Sequence, residues 1–564
     1  MLQTLKTLSA ALAAFDGGEP VAEDALDLLG LAIASLEKLE IAQLDPALCQ
    51  VAVLGPTQAG KSTLVNLLVG SEVTTVSALA GHTRHARGAA LGVADAVLQR
   101  IADALSPAQR VNAAELLPDN LDQYSLLSVG EAAFRDATQA AGPVEQDSSV
   151  IVWDTPDFDS LASDTYRRAV LAIAGLADVI ILIVSRDKYG DMAVWELLER
   201  VALLERRSLF VVNKVDAFNW EELRSHVLAT QTERLQRQPF AVAHMEHTPP
   251  GQVVDGKEVL AALGELKPVG PAQIRASVGA LMAQGMPAWL APLKAEETAT
   301  SAYLAQVAER RAEFLASYRR DYLADAERYD TFQRLLGELL ILLEIPALAR
   351  TMGSVRRVVT WPVRKLFGSR QQESSLGREP ELLVEGAAHL LLGLRMGALE
   401  AQEPDPFWTR VAQRLSAQHD DLLEAFQDAA ETHHDAFQAS VASAAQELYQ
   451  NLQETPALLN SLRAIRASAD TAGVIVALQT GGIGLADLVL TPVMLSLTTT
   501  LTESAAKTYV DKVVSDLQEE QYNAVADMFD AGLGATLTKH ASDPELLAFG
   551  QLNVQTIESL ANEF

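Results

Sequence analysis

Residues Gly55-Pro56-Thr57-Gln58-Ala59-Gly60-Lys61-Ser62 place two glycines, a lysine and a hydroxyl at the spacing of a phosphate-binding turn. Successive backbone N–H groups in such a turn converge on the oxygens of a polyphosphate. In that role Gly55, Gln58, Ala59, Gly60 and Thr63 form the cradle, Lys61 brings charge to the terminal phosphates, and Ser62 offers an oxygen to Mg2+. The apolar run Val51-Ala52-Val53-Leu54 precedes the turn and the helical sequence Thr63-Leu64-Val65-Asn66-Leu67-Leu68 follows it. These are the strand and the helix that have to hold a phosphate loop open.

Two acidic segments also follow core-like runs. Val150-Ile151-Val152-Trp153 leads into Asp154-Thr155-Pro156-Asp157, and Ser208-Leu209-Phe210-Val211-Val212 leads into Asn213-Lys214-Val215-Asp216. The first resembles the D-x-x-G element of GTPases, in which Asp154 would hold Mg2+ through a water and the backbone N–H of Asp157 would meet the γ-phosphate. An aspartate stands where glycine is expected, and an acidic side chain beside a phosphate is costly unless it points away or serves a role. The second segment reads as N-K-x-D. A carboxylate at Asp216 accepts from the ring N–H and the exocyclic amine of guanine, two donors that adenine lacks, which selects GTP. Lys214 would lie along the base, and Asn213 would tie this loop to the phosphate loop. Phe240-Ala241-Val242-Ala243-His244 reads as a strand whose backbone near Ala243 would touch the guanine.

The chain resembles the dynamin-like branch of the GTPase superfamily, or a bacterial relative of it, over about residues 48 to 245. Gly81-His82-Thr83-Arg84 carries the resemblance to that branch's switch, with the Thr83 hydroxyl completing the Mg2+ shell. The separation of 71 positions between Thr83 and Asp154 is far longer than in small Ras-like GTPases. Small GTPases place a water-orienting glutamine after the D-x-x-G element, and here that residue is Phe158. Dynamin-like proteins compensate by pairing G domains and by a cation held at a phosphate-loop serine, a position where this chain has Gln58. Lys61, Thr83 and Thr57 are therefore the candidate catalytic groups, with Thr57 and the backbone around Ala59 placing the attacking water. Arg84, Arg87, Arg186 and Lys188 are further cations within reach of transferred charge, although each also suits a solvated surface.

The order of strands and helices is that of a doubly wound α/β domain with its ligand at the strand carboxyl ends. Val179-Ile180-Ile181-Leu182-Ile183-Val184 is a continuous apolar run of buried parallel type. At 564 residues the length suits about three or four domains. A net charge of −30 argues against a general nucleic-acid binder. The single cysteine, Cys49, excludes an intramolecular disulfide and a multi-cysteine zinc site. The N-terminus reads as an amphipathic helix rather than a secretory signal, and a GTP-using protein is expected in the cytosol. No run of 18 or more uncharged apolar residues supports a simple transmembrane helix.

Outside the GTPase unit the sequence is helical nearly throughout. Leu2 to Phe15 and Val21 to Ala42 form two helices, and the stretches Ala295 to Glu344 and Pro406 to Glu454 each predict a very long one. The expected organisation is N-terminal helices over residues 1–45 that join a stalk, a GTPase domain over 46–268, and an all-α elongated helical bundle over 269–564. Residues 346–372 carry Arg350, Arg356, Arg357, Arg364, Lys365 and Arg370 with no acidic residue, interleaved with Trp361, Leu366 and Phe367. Such a segment suits an anionic membrane surface, each cation contributing about 1 kcal/mol, or else acidic faces of the bundle. Residues 471–502 hold Asp487 as their only charge and suit a re-entrant hairpin or a packed core.

The resemblance implies a GTP hydrolase using Mg2+, self-associating through its G domains, coupled by the stalk to membrane association or remodelling, cytoplasmic or peripheral on the inner face of the membrane. A regulatory GTPase switch whose helices bind a protein or ribosomal partner is the alternative.

Overall fold

The computed structural model describes residues 1–15, 23–74, 84–129, 149–158, 163–215, 220–235, 240–246, 256–263, 266–325, 330–344, 378–401, 405–454, 456–468, 499–501, 507–550 and 552–563. Thr83, Asp216, the basic segment 346–372 and all of 471–502 except 499–501 lie outside the described residues. The chain divides into two compact units, residues 1–295 with 551–564, and residues 296–550.

The first unit is built on an eight-stranded sheet. Its strands are β1 Cys49–Leu54, β2 Ala86–Leu91, β3 Gln109–Arg110, β4 Gln123–Ser128, β5 Val150–Asp154, β6 Val179–Ser185, β7 Arg207–Val215 and β8 Ala241–Glu246, in the order β3-β4-β2-β5-β1-β6-β7-β8. β1, β5 and β6 are buried at every position, as strands covered on both faces must be, which is why they read as unbroken apolar runs. The β2–β5 pairing is antiparallel and the other pairings are parallel, so the sheet is mixed. That antiparallel register sets Arg87 beside Asp154. Trp153 fills the core next to it and donates to Gln50 Oε1 at 3.0 Å.

The helices of this unit are α1 Leu2–Ala13, α2 Glu23–Leu44, α3 Lys61–Val69, α4 Asp95–Ala104, α5 Ser163–Leu176, α6 Met192–Ala202, α7 Trp220–Arg234, α8 Lys257–Leu263, the first part of α9 (Pro271–Tyr318), and α17 Val554–Ala561 at the far end of the chain. α1 and α2, expected with the helical region, belong instead to the sheet unit. α2 packs on α5 so closely that a Cβ on Gly175 would lie 2.4 Å from that of Ala34. The contact is locked by charge as well as by shape. Lys38 Nζ, fully buried, donates to Asp178 Oδ2 at 2.5 Å, and Asp178 also accepts from the backbone N–H of Gln50 and of Val269 at 2.7 and 2.8 Å. One carboxylate thus joins α2, the start of β1, the start of β6 and the segment leading to α9.

The second unit is all-helical. Besides the rest of α9 it contains α10 Asp330–Glu344, α11 Arg378–Leu399, α12 Pro406–Ala417, α13 His419–Gln453, α14 Pro456–Ser468, α15 Lys507–Phe529 and α16 Ala535–Lys539. The helix expected over 295–344 forms differently: α9 starts at Pro271, accommodates Pro287 and Pro292, and passes into a π turn at Arg319–Leu323. The stacked rings of Tyr318 and Tyr322, both buried, anchor that turn in the core. The helix expected over 406–454 is two helices, divided at Gln418. Five helices and the π turn contribute to a buried polar knot. Glu379 accepts from Tyr318 Oη (2.6 Å), Gln521 Nε2 (2.7 Å) and His434 Nδ1 (2.7 Å), while Thr331 bonds Tyr322 and Gln521. Among the described residues one helix, Glu379–Leu399, is long and apolar enough to cross a membrane, and its residues Leu383, Ala387, Leu390, Leu391 and Leu394 are buried in the core of this unit.

Candidate functional site

At the carboxyl end of β1 the chain turns sharply into α3, and each glycine of the turn has a spatial reason. A Cβ on Gly55 would come within 2.2 Å of the Ile183 carbonyl oxygen on β6. Gly60 adopts φ +102°, a conformation L side chains avoid, and a Cβ there would lie 2.3 Å from the Asn213 amide nitrogen. Lys61 then opens α3, whose first N–H groups face the turn. Gln58 also has positive φ, which brings its carbonyl to Lys214.

Asn213 connects two loops far apart in sequence. Its amide Nδ2 donates to Ala59 O at 2.9 Å, and its Oδ1 accepts from the Lys214 backbone N–H at 2.8 Å. Lys214, itself at positive φ beside a bulge between β7 and β8, donates from Nζ to Gln58 O at 3.1 Å. The tie expected of Asn213 is therefore made, and Lys214 adds a second one.

Opposite the turn, β5 delivers Asp154. Ser62 Oγ donates to Asp154 Oδ2 at 2.7 Å, and Thr155 Oγ1 bonds Val53 O at 2.8 Å, fixing the β5 terminus against β1. Asp154 is fully buried, and burial pushes its carboxyl up to about 6 despite the Ser62 hydrogen bond and the charges of Lys61 and Arg87. Its Oδ1 is buried with no hydrogen-bond partner. A hydroxyl and an orphaned carboxylate oxygen on adjoining elements fit a hard divalent cation such as Mg2+, which takes oxygen ligands and keeps waters.

Lys61 Nζ donates to Gly55 O at 2.8 Å and Pro56 O at 3.1 Å, and it forms an ion pair with Asp157, both side chains being buried. Asp157 thus points at the lysine rather than away from the site. Phe158, beside it, is also buried.

Ala243 lies within β8. Sequence reading places it at the guanine, but the strand runs on to Glu246, and Ala243 pairs with Val211 inside the core, two residues short of the level of Asn213. Arg84 bonds Pro118 O and stands near Asp119, while Arg87 lies along Asp154. Thr57 sits in the turn between Pro56 and Gln58. Asn66 escaped sequence reading: its Oδ1 accepts from Val73 and Thr74 N–H at 3.0 Å and its Nδ2 donates to Thr74 O at 2.9 Å, fastening the chain after α3 back onto the helix. An asparagine inside a helical run carries no spacing signal for that role.

Residues 50–106 match the family model described as 50S ribosome-binding GTPase. The chain is 27% identical over 224 residues to GTPase Era of Bradyrhizobium sp., covering 39% of this chain and 54% of that protein. It is 42% identical over 60 residues to GTPase Der of Fusobacterium nucleatum, covering 11% of this chain and 14% of that one. The chain thus spans about half the length of Era. Among solved structures, an oligomerised bacterial dynamin pair described as a mechanism for long-range sensing and tethering of membranes aligns over 95% of both chains, with 12% identity and a TM-score of 0.37. Aquifex aeolicus Era bound to GDP·AlF4− aligns over 40% of this chain and 58% of its own, with 16% identity and a TM-score of 0.27. The chain carries a P-loop GTPase domain with a mixed sheet, together with a large helical region.

Proposed function

We propose that this chain binds GTP with Mg2+ and hydrolyses it, in the manner of a dynamin-like GTPase whose helical region responds to the nucleotide. One observation carries the reading. The turn Gly55–Ser62, the Ser62–Asp154 pair and the Asn213 tie to Ala59 converge at the carboxyl ends of β1, β5 and β7, where a polyphosphate, a divalent cation and a base each need a partner.

In this reading the backbone N–H groups from Gln58 to Thr63 hold the β- and γ-phosphates and Lys61 neutralises them. Ser62 and Asp154 would hold Mg2+, which when bound offsets charge on the phosphate oxygens. Asn213 and Lys214 keep the base-side loop registered on the phosphate loop, and Asp216 selects guanine. Thr83 and Thr57 are the groups offered for ordering the attacking water. A buried Phe158 has no polar group to orient that water, so the unaided rate is expected to be low, and pairing between G domains is the expected aid.

Purified protein should release phosphate steadily from GTP and not from ATP, and Lys61→Ala should abolish the release. Equal turnover of ATP, or turnover unchanged in Lys61→Ala, would overturn the assignment.

Coupling to a membrane is supported by the basic, apolar sequence 346–372. The family-model match to ribosome-binding GTPases favours the second reading, a switch with a ribosomal or protein partner. Sedimentation with anionic liposomes, with and without GTP, separates the two: binding lost in Arg356→Glu/Arg357→Glu supports the membrane, and absence of lipid binding by the parent protein favours the switch.

A further inference from the structure

The Lys61–Asp157 ion pair assigns a role to the residue that departs from the D-x-x-G pattern. An ammonium has three donors, and Lys61 spends them on Gly55 O, Pro56 O and Asp157. The first two acceptors are neutral carbonyls of the phosphate loop itself. The third is an anion, brought from β5 to the same lysine that a terminal phosphate would take. It is 5% exposed, so little water is there to solvate it if the lysine leaves.

We propose that Asp157 is an internal stand-in for the γ-phosphate, and that it sets the preference of this site between GDP and GTP. The inference rests on the guanine-nucleotide reading above. With GDP bound, the β-phosphate displaces a loop carbonyl from Lys61, and Asp157 stays as the second anionic partner of the ammonium. With GTP bound, the γ-phosphate claims the same ammonium and meets a like-charged carboxylate, so the pair opens and Asp157 has to move. Asp157 adjoins Phe158, which is packed in the interior, so movement of the carboxylate pulls on a buried ring. A glycine at this position offers its N–H to the γ-phosphate without such a competitor. The departure from the pattern therefore weakens GTP relative to GDP and ties the arrival of the γ-phosphate to displacement of the residues after β5.

The test is equilibrium binding of fluorescent GDP and of a fluorescent non-hydrolysable GTP analogue, with Mg2+, to the full chain and to Asp157→Asn and Asp157→Gly. The parent protein should prefer GDP. Both variants should tighten the GTP analogue by about ten- to a hundredfold, the range for a charge-assisted hydrogen bond, while changing GDP by less than about threefold. Retained GDP binding reports an intact fold, and Asp157→Asn keeps the shape of the side chain. Equal effects on both nucleotides, or no effect on either, would overturn the role of Asp157 while leaving the nucleotide site standing. Failure of the parent protein to bind either nucleotide would overturn the guanine-nucleotide reading, and this inference with it.

Discussion

Gly60→Ala puts the geometry of the phosphate loop to a quantitative test. Two costs add at this residue. The backbone sits at φ +102°, which for a residue with a Cβ costs about 1–3 kcal/mol. The new Cβ would also lie 2.3 Å from Asn213 Nδ2, so the amide must move and abandon its 2.9 Å bond to Ala59 O, leaving a buried carbonyl at a cost of about 1–3 kcal/mol. The sum is about 2–6 kcal/mol, and any part of it that falls on binding weakens GDP by about tenfold per 1.4 kcal/mol. Equilibrium binding and denaturant unfolding without nucleotide should be measured together, because the cost is shared between a deformed loop and a less stable one. A double-mutant cycle with Asn213→Ala separates the two terms. Once the amide is gone, the nearest other atom to the Cβ is Ile183 Cδ1 at 3.7 Å, an ordinary contact, and only the backbone term remains. The double variant should therefore be less impaired than the sum of the singles by about 1–3 kcal/mol. Additivity within about 0.5 kcal/mol would refute the steric argument and leave φ as the sole reason for glycine.

Lys38→Met should strip Asp178 of its cation while leaving two backbone donors, costing about 3–5 kcal/mol in denaturant unfolding followed by tryptophan fluorescence; a loss below about 1 kcal/mol would show that α2 is not held by this pair. Glu379→Leu should destabilise the helical unit by about 3 kcal/mol or more, because Tyr318, Gln521 and His434 lose a shared buried acceptor; an unchanged unfolding midpoint would contradict this. The same knot should make this unit acid-sensitive. His433, whose Nε2 stands 3.9 Å from Glu379 Oε1, has its pKa lowered by burial, so the folded state resists its protonation and stability falls as pH drops below about 6.5. Burial would raise the carboxyl of Glu379, but the bonds from His434 and Tyr318 and the nearby histidine charge bring it below its ordinary value, so its contribution is present above about pH 4.3 and is lost at lower pH. Both terms have the same sign, and near-ultraviolet circular dichroism from pH 8 to 4 should show a falling unfolding midpoint; a rising one would exclude the argument.

The phosphate loop, the Asp154 strand and the Asn213 strand were legible in the chain because each is a local pattern. A buried parallel strand is an unbroken apolar run, and the residues that leave its carboxyl end are fixed by the next few positions. The acidic residue at 157 was legible as a departure, but its destination was not. Whether it turned away or toward the site depended on Lys61, which is 96 residues earlier and meets it only when β1 and β5 pair. The level of Ala243 had no local signature for a related reason: the apolar sequence shows a strand, but register against β7 decides which residue reaches the edge. The reversed direction of β2, which brings Arg87 to Asp154, has no local signature either. In the helical region, propensity marked helices and not their limits. The π turn at Arg319 is held by ring packing of Tyr318 and Tyr322, and the unit to which α2 belongs is set by Lys38 finding Asp178, 140 residues away. The sequence by itself determined which groups are candidates for phosphate and metal, since candidacy depends on residue type and short spacing. Only the tertiary structure decided which of those groups already hold one another, because ion pairs and register are made between segments that the chain brings together on folding.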